Sequence, residues 1–228
     1  RAGVMGQRGA NFAIANSDLI LSIGSRMDTR QVGNKPETYA KMAKKIVVDI
    51  DKHELEKNLI RIDIPVCADA KLFMTELLAE IEEGFKKQDI SKWMDKCQEW
   101  KEKYPIVLPE YSEEKERVNS YVFIDILSDE LDEGDIIVTD MGTSLSCTMQ
   151  AFRVKKNQRL FTNTGFASMG FGLPATIGAW FASGKNRIIG IYGDGGFQMN
   201  IQELQPVVYN RIPAKIFILN NKCYLTIK

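Results

Sequence analysis

Two short apolar runs near the end of the chain, Ile188-Ile-Gly-Ile-Tyr192 and Lys215-Ile-Phe-Ile-Leu219, constrain the fold most, because each stops abruptly in polar or glycine residues. The first is followed by Gly193-Asp194-Gly195-Gly196 and the second by Asn220-Asn221. Between them, Phe197 to Asn210 has helical character. Two buried strands joined by a helix form a βαβ crossover, and parallel strands of that kind bind ligands beyond their carboxyl ends. Asp194 and Asn221, 27 positions apart (221 − 194), are therefore expected at neighbouring strand ends and close in space. A carboxylate and an amide oxygen are hard donors that suit Mg2+ or Ca2+. Gly195 and Gly196 remove side chains where strand turns into helix, so backbone N–H groups can approach a phosphate. A hard cation beside exposed amides points to a diphosphate.

Composition narrows the class. The 228 residues are 44% hydrophobic and 26% charged, enough apolar material for a sizeable core. Thirty basic and 30 acidic residues give zero formal net charge, with no long run of one sign, so neither nucleic acid nor a membrane surface is indicated as a partner. Cys67, Cys97, Cys147 and Cys223 lie far apart without a C-x-x-C pair, which suggests neither disulfides nor a zinc cluster and fits a reducing cytoplasm. No apolar run reaches the ~18–20 residues of a membrane helix. The only histidine, His53, opens a polar helical stretch after Asp51-Lys52, so Ser-His-Asp or Cys-His catalysis would have to be built around a residue expected at the surface.

Apolar runs alternate with helical periodicity along the rest of the chain, which predicts an α/β fold: parallel sheets covered by helices, in two domains of incomplete size. Residues 1–83 carry runs at Leu19–Ile23, Lys45–Asp51 and, more weakly, Ile60–Val66, then a helix over Ala70–Ile81. Residues 84–118 are dense in Lys and Glu and read as a helical and extended linker, with Trp93 and Trp100 as packing anchors. Residues 119–228 begin a second α/β domain with a helix over Tyr121–Leu131 and a strand over Asp135–Asp140. That strand ends in Met141-Gly142-Thr143-Ser144, a second loop suited to face phosphate.

Gly193-Asp194-Gly195, a spacer and Asn220-Asn221 together resemble the thiamine diphosphate (ThDP) signature, and Phe197-Gln-Met-Asn-Ile-Gln-Glu-Leu204 is similar to acetolactate synthases. The run Ser168-Met-Gly-Phe-Gly-Leu-Pro-Ala175 resembles the same family. The first domain is similar to the central domain of those enzymes in Gly24-Ser-Arg26-Met-Asp28-Thr-Arg30 and in the strand ending Asp49-Ile-Asp51. Met5 stands where the family usually has histidine, and Gly142-Thr143-Ser144 is closer to the pyruvate and indolepyruvate decarboxylases than to acetolactate synthases.

The resemblance implies a set of roles. Asp194, Asn221 and the carbonyl of Cys223 would hold Mg2+ against the ThDP diphosphate. Gly193, Gly195, Gly196, Gly142, Thr143 and Ser144 would line that diphosphate. Met169, next to Ser168, would wedge beneath the cofactor rings, and the Ala167 carbonyl would receive the 4′-amino group. In the first domain Arg26 and Arg30 would lie near the diphosphate or flavin of FAD, and Asp49, Asp51 and Asp69 near its ribose or adenine; relatives hold FAD, ADP or nothing there. The activity implied is decarboxylation of a 2-keto acid such as pyruvate, with carboligation to an acceptor carbonyl. Alternatives within the resemblance are another 2-keto acid decarboxylase, an oxalyl-CoA decarboxylase or a sugar-modifying carboligase, and outside it a non-catalytic nucleotide-binding scaffold. The glutamate that activates ThDP belongs to a further N-terminal domain, so the expected state is a homodimer or homotetramer of a longer enzyme in which a second subunit or domain completes the site. By itself this segment is expected to be inactive.

Overall fold

The computed structural model describes residues 2–57, 59–184 and 186–227. The chain forms two compact units, Arg1–Pro105 and Ile106–Lys228, the division falling inside the stretch 84–118.

In the first unit, α1 (Arg8–Ala15) precedes β1 (Leu19–Ile23), α2 (Thr29–Val32), β2 (Lys44–Asp49), α3 (Lys52–Glu56), β3 (Ile64–Cys67), α4 (Ala70–Gly84) and α5 (Ser91–Lys103). The three strands are parallel in the order β1-β2-β3. Pro65 lies in β3, an edge strand, where a missing N–H is tolerated. Met27, Val32, Val47 and Ile60 form the buried cluster of this sheet. The Trp pair acts by packing: Trp93 and Trp100 meet edge-on at 5.9 Å, and Trp100 of α5 and Tyr104 just past its end lie 6.0 and 5.1 Å from Phe12 of α1. Gly9 permits that approach, since a Cβ there would stand 3.1 Å from the Trp100 carbonyl oxygen.

The second unit runs α6 (Ser120–Glu130), β4 (Ile136–Thr139), α7 (Thr143–Ala151), β5 (Arg159–Phe161), α8 (Gly172–Ala182), β6 (Ile188–Gly193), α9 (Asp194–Met199), α10 (Leu204–Tyr209) and β7 (Lys215–Leu219). Its sheet is parallel in the order β5-β4-β6-β7. Strand residues alternate between two apolar layers. Ile137, Ile189 and Ile191 pack with Ile124 and Leu127 of α6 and Cys147 and Ala151 of α7 on one face. Ile136, Val138 and Ile188 pack with Trp180 of α8 and Ile212 on the other. A sheet covered on both faces explains why its strands read as continuous apolar runs.

One expected element is broken in two. Phe197 to Asn210 reads as a single helix, but α9 ends at Met199, a 3-10 turn covers Ile201–Glu203, and α10 begins at Leu204. Pro206 has no N–H to bond back into a preceding turn, and Asn200 leaves helical geometry to donate from Nδ2 to the Gly170 carbonyl at 2.7 Å. Among the described residues no helix is long and apolar enough to cross a membrane.

At the centre of the second sheet, Gly190 faces Tyr192, which is fully buried and hydrogen-bonded through its hydroxyl to Thr176 Oγ1. A Cβ on Gly190 would stand 2.0 Å from that hydroxyl oxygen. Gly190→Ala is therefore expected to destabilise the second unit by about 1–3 kcal/mol. Thermal unfolding of the full-length protein reads the effect, and a wild-type melting profile would contradict it.

Candidate functional site

The order β5-β4-β6-β7 reverses at β4: the chain moves outward to β5, then returns to place β6 on the other side of β4. Such a reversal opens a crevice between the loops that leave the two central strands. The loop after β4 contains Met141-Gly142-Thr143, and the turn after β6 contains Gly193-Asp194-Gly195-Gly196.

A cavity of about 210 Å3 lies there. Gly142, Thr143, Ala167, Met169, Gly193, Asp194, Gly195, Gly196, Asn221 and Cys223 all line it, so ten residues chosen from the sequence converge from four loops. Asp194 and Asn221 do come together: Lys222, with φ +55°, turns the chain back so that its N–H donates to Asp194 Oδ2 at 3.1 Å. The Cys223 N–H donates to Asn221 Oδ1 at 3.1 Å, which aims the loop after β7 into the same cavity. An aspartate carboxylate and an asparagine amide lining one cavity offer oxygen donors of the kind that suit a hard divalent cation. Among the described residues no group of three or more His, Cys, Asp or Glu could hold a metal ion.

The phosphate side of the cavity is built from backbone. Gly142, with φ +86°, caps α7, and no side chain caps that helix. Its first-turn N–H groups are left for another acceptor, and the positive end of the helix favours an anion. Gly193 likewise enters α9 without a side-chain cap. Asp28, Asp51, Asp69 and Asn119 cap their helices with side-chain oxygens, whereas α1, α5, α8 and α10, like α7 and α9, have no side-chain cap. The donor set and the bare turns fit a metal-bound diphosphate.

Two expected residues are placed differently. Ser144 is buried, and its hydroxyl donates to the carbonyls of Asp140 and Met141 at 3.2 Å each, away from the cavity. Ser168 is exposed and does not line the cavity. Met141, from the loop expected to face phosphate, also lines it, and sequence reasoning missed Tyr224 to Ile227, with the Tyr224 ring lying directly over Gly195. It also assigned no role to Asp140, a buried carboxylate beneath the cavity. Asp140 Oδ1 accepts the Met141 N–H at 2.8 Å and Oδ2 the Gly170 N–H at 2.9 Å. Burial pushes its carboxyl above the usual range, although these backbone donors pull the other way. Its position at a strand end before Gly142-Thr143-Ser144 was the available signal.

The first unit brings its five chosen residues to the carboxyl ends of β1, β2 and β3, where most are already engaged. Arg26 pairs with Glu54 at 2.9 Å. Asp49 accepts the Asp51 N–H at 3.0 Å. Asp51 caps α3 through the His53 N–H at 2.9 Å, and Asp69 caps α4 through the N–H groups of Lys71 and Leu72 at 2.9 and 3.1 Å. Arg30 differs, because its Nη1 is buried without a hydrogen-bond partner among the described residues. The fit to a dinucleotide rests on Arg30, and no chemistry is routed through this unit. His53 is solvent-exposed beside Glu56, as expected of a surface residue.

Ala167 holds φ +59°, a left-handed conformation natural to glycine. Ala167→Gly is expected to stabilise the protein by about 1 kcal/mol. A higher melting temperature is the expected readout, and a lower one would contradict it.

Residues 140–228 match the family model for the thiamine pyrophosphate enzyme C-terminal TPP-binding domain, and residues 1–77 match that for the central domain. Acetolactate synthase 1, chloroplastic, from Zea mays is 35% identical over 223 residues, covering 96% of this chain and 34% of that protein. Its namesake from Nicotiana tabacum is 36% identical over 223 residues, covering 96% and 32%. The acetolactate synthase large subunit of Cyanidium caldarium is 34% identical over 229 residues, covering 96% and 37%. The chain thus spans about a third of the length of the curated relatives it matches. With both units matched by models of one family, the chain belongs to the thiamine pyrophosphate enzymes.

Proposed function

We propose that the full-length protein is a ThDP- and Mg2+-dependent enzyme of the acetolactate synthase type, which decarboxylates a 2-keto acid such as pyruvate and joins the remaining fragment to an acceptor carbonyl. The observation that carries this reading is the convergence of Asp194, Asn221 and Cys223 with the Gly142 and Gly195–Gly196 turns in one cavity. When bound, ThDP supplies the nucleophilic carbon that attacks the keto group and the electron sink that lets CO2 leave. The chain's own residues bind and orient it. Asp194, Asn221 and the Cys223 carbonyl would hold Mg2+; the amides opening α7 and the Gly195–Gly196 turn would receive the diphosphate. Met169 would support the rings, a task suited to a soft and adaptable side chain, and the Ala167 carbonyl would accept from the 4′-amino group.

A second subunit or domain would supply the pyrimidine-facing half, in a homodimer or homotetramer. Four free cysteines favour a reducing compartment such as the cytoplasm. The loop Gly142-Thr143-Ser144 supports a second reading, simple 2-keto acid decarboxylation. Aldehyde as the product from pyruvate would favour that reading, and acetolactate the first. A flavin in the first unit is supported by Arg30. A purified protein that is colourless and takes up no added FAD would remove that part.

Calorimetry with ThDP and Mg2+ on the full-length protein tests the cofactor reading. Asp194→Ala is expected to weaken Mg2+-dependent ThDP binding by at least about 100-fold, the magnitude associated with loss of a charged partner at a buried cation. Equal binding by the wild type and the variant would sink it.

A further inference from the structure

Asp140 is a buried carboxylate to which the cofactor assignment gives no role although it lies directly under the cavity. Its side chain is 1% exposed. Its charge is met by backbone donors: Met141 and Gly170 at 2.8 and 2.9 Å, with the N–H groups of Phe171 and Gly172 also directed at it. The turn after β6 rests on the same group. A Cβ on Gly196 would stand 2.3 Å from Asp140 Oδ2, and one on Gly172 would stand 3.1 Å from Asp140 Cβ. Asn200 fastens the arrangement from the other side by donating to the Gly170 carbonyl.

One carboxylate therefore joins three loops that share no sequence neighbourhood: the end of β4, the segment entering α8 and the glycine turn after β6. Two of these loops supply the bare amides of the cavity, and the third carries Met169. We propose that Asp140 is a positioning residue that sets the height of Met169–Gly172 against the Gly195–Gly196 turn, so that the wedge and the diphosphate cradle are held at a fixed separation. The proposal rests on the ThDP reading above, because the separation matters only to a ligand that spans both loops. A carboxylate is suited to the task because it offers acceptors in every direction needed and no donor. An asparagine in its place would turn an NH2 group toward backbone N–H groups and leave buried donors unsatisfied.

The test compares wild-type full-length protein with Asp140→Asn, measuring ThDP affinity in the presence of Mg2+ and amide hydrogen exchange. The expected result is ThDP binding weakened by about tenfold or more, with faster exchange at Gly170–Gly172 and unchanged exchange at Ile137 and Val138. A purely structural role would accelerate all of these amides together and would overturn the proposal. So would an Asp140→Asn variant that binds ThDP as the wild type does. Failure of the wild type itself to bind ThDP would remove the cofactor reading, and the proposal with it. If Asp140→Asn does not fold, Gly196→Ala carries the test, since it drives a methyl group onto Oδ2 while keeping the carboxylate. The same local acceleration at Gly170–Gly172 is expected, and its absence overturns the proposal.

Discussion

The parallel ladder that places β6 between β4 and β7 is the constraint on which the site depends. Thr139 is level with Ile191, and Gly193 with Leu219, so all three strands deliver their loops to one end of the sheet. Residues from positions 140, 194 and 221 are thus brought near one another by the backbone pairing of the three strands. The register is in turn held by burial. Ile189 and Ile191 occupy one apolar layer and Ile188 the other, and a slip of one residue would exchange the layers. Reversal of strand order at β4 opens the crevice, which is why the site lies between the β4 and β6 loops.

Within that crevice, removal of side chains matters as much as their presence. Gly195 and Gly196 leave room for Tyr224 above and Asp140 below, and Gly142 adopts a positive φ that starts α7 without a capping side chain. The oxygen donors are few and come from different loops. Behind these loops Ile137, Val138, Ile189 and Ile191 are buried to 1% exposure or less. A stiff apolar sheet holding short polar loops is the arrangement that lets a few groups keep a fixed geometry around a charged ligand.

Much of this was legible from residue order because the controlling signals are local. Apolar runs at Leu19–Ile23 and Lys215–Leu219 became strands with those same limits, and glycine and asparagine beyond the runs marked the cavity. What was not legible depends on contacts between loops. Asp140 looks in sequence like any strand-terminal carboxylate, and its partners Gly170 and Gly196 lie 30 and 56 positions away (170 − 140 and 196 − 140). The hydroxyl of Ser144 turned to backbone carbonyls because a buried serine in a first helical turn finds acceptors behind it. In the first unit the same residue type served two chemistries. A strand-terminal Asp can meet a ribose, yet Asp51 and Asp69 each stand immediately before a helix, where capping takes the side chain.

The central claim is that an all-oxygen set on two neighbouring strand ends holds a divalent cation against a diphosphate. It is tested most directly by anomalous diffraction from crystals of the full-length protein grown with ThDP and Mn2+ in place of Mg2+. The account predicts one strong peak bounded by the Asp194 carboxylate, the Asn221 side-chain oxygen and the Cys223 carbonyl, with the diphosphate on its open side. A metal bound elsewhere, or a diphosphate seated away from the Gly142 and Gly195–Gly196 turns, would contradict it.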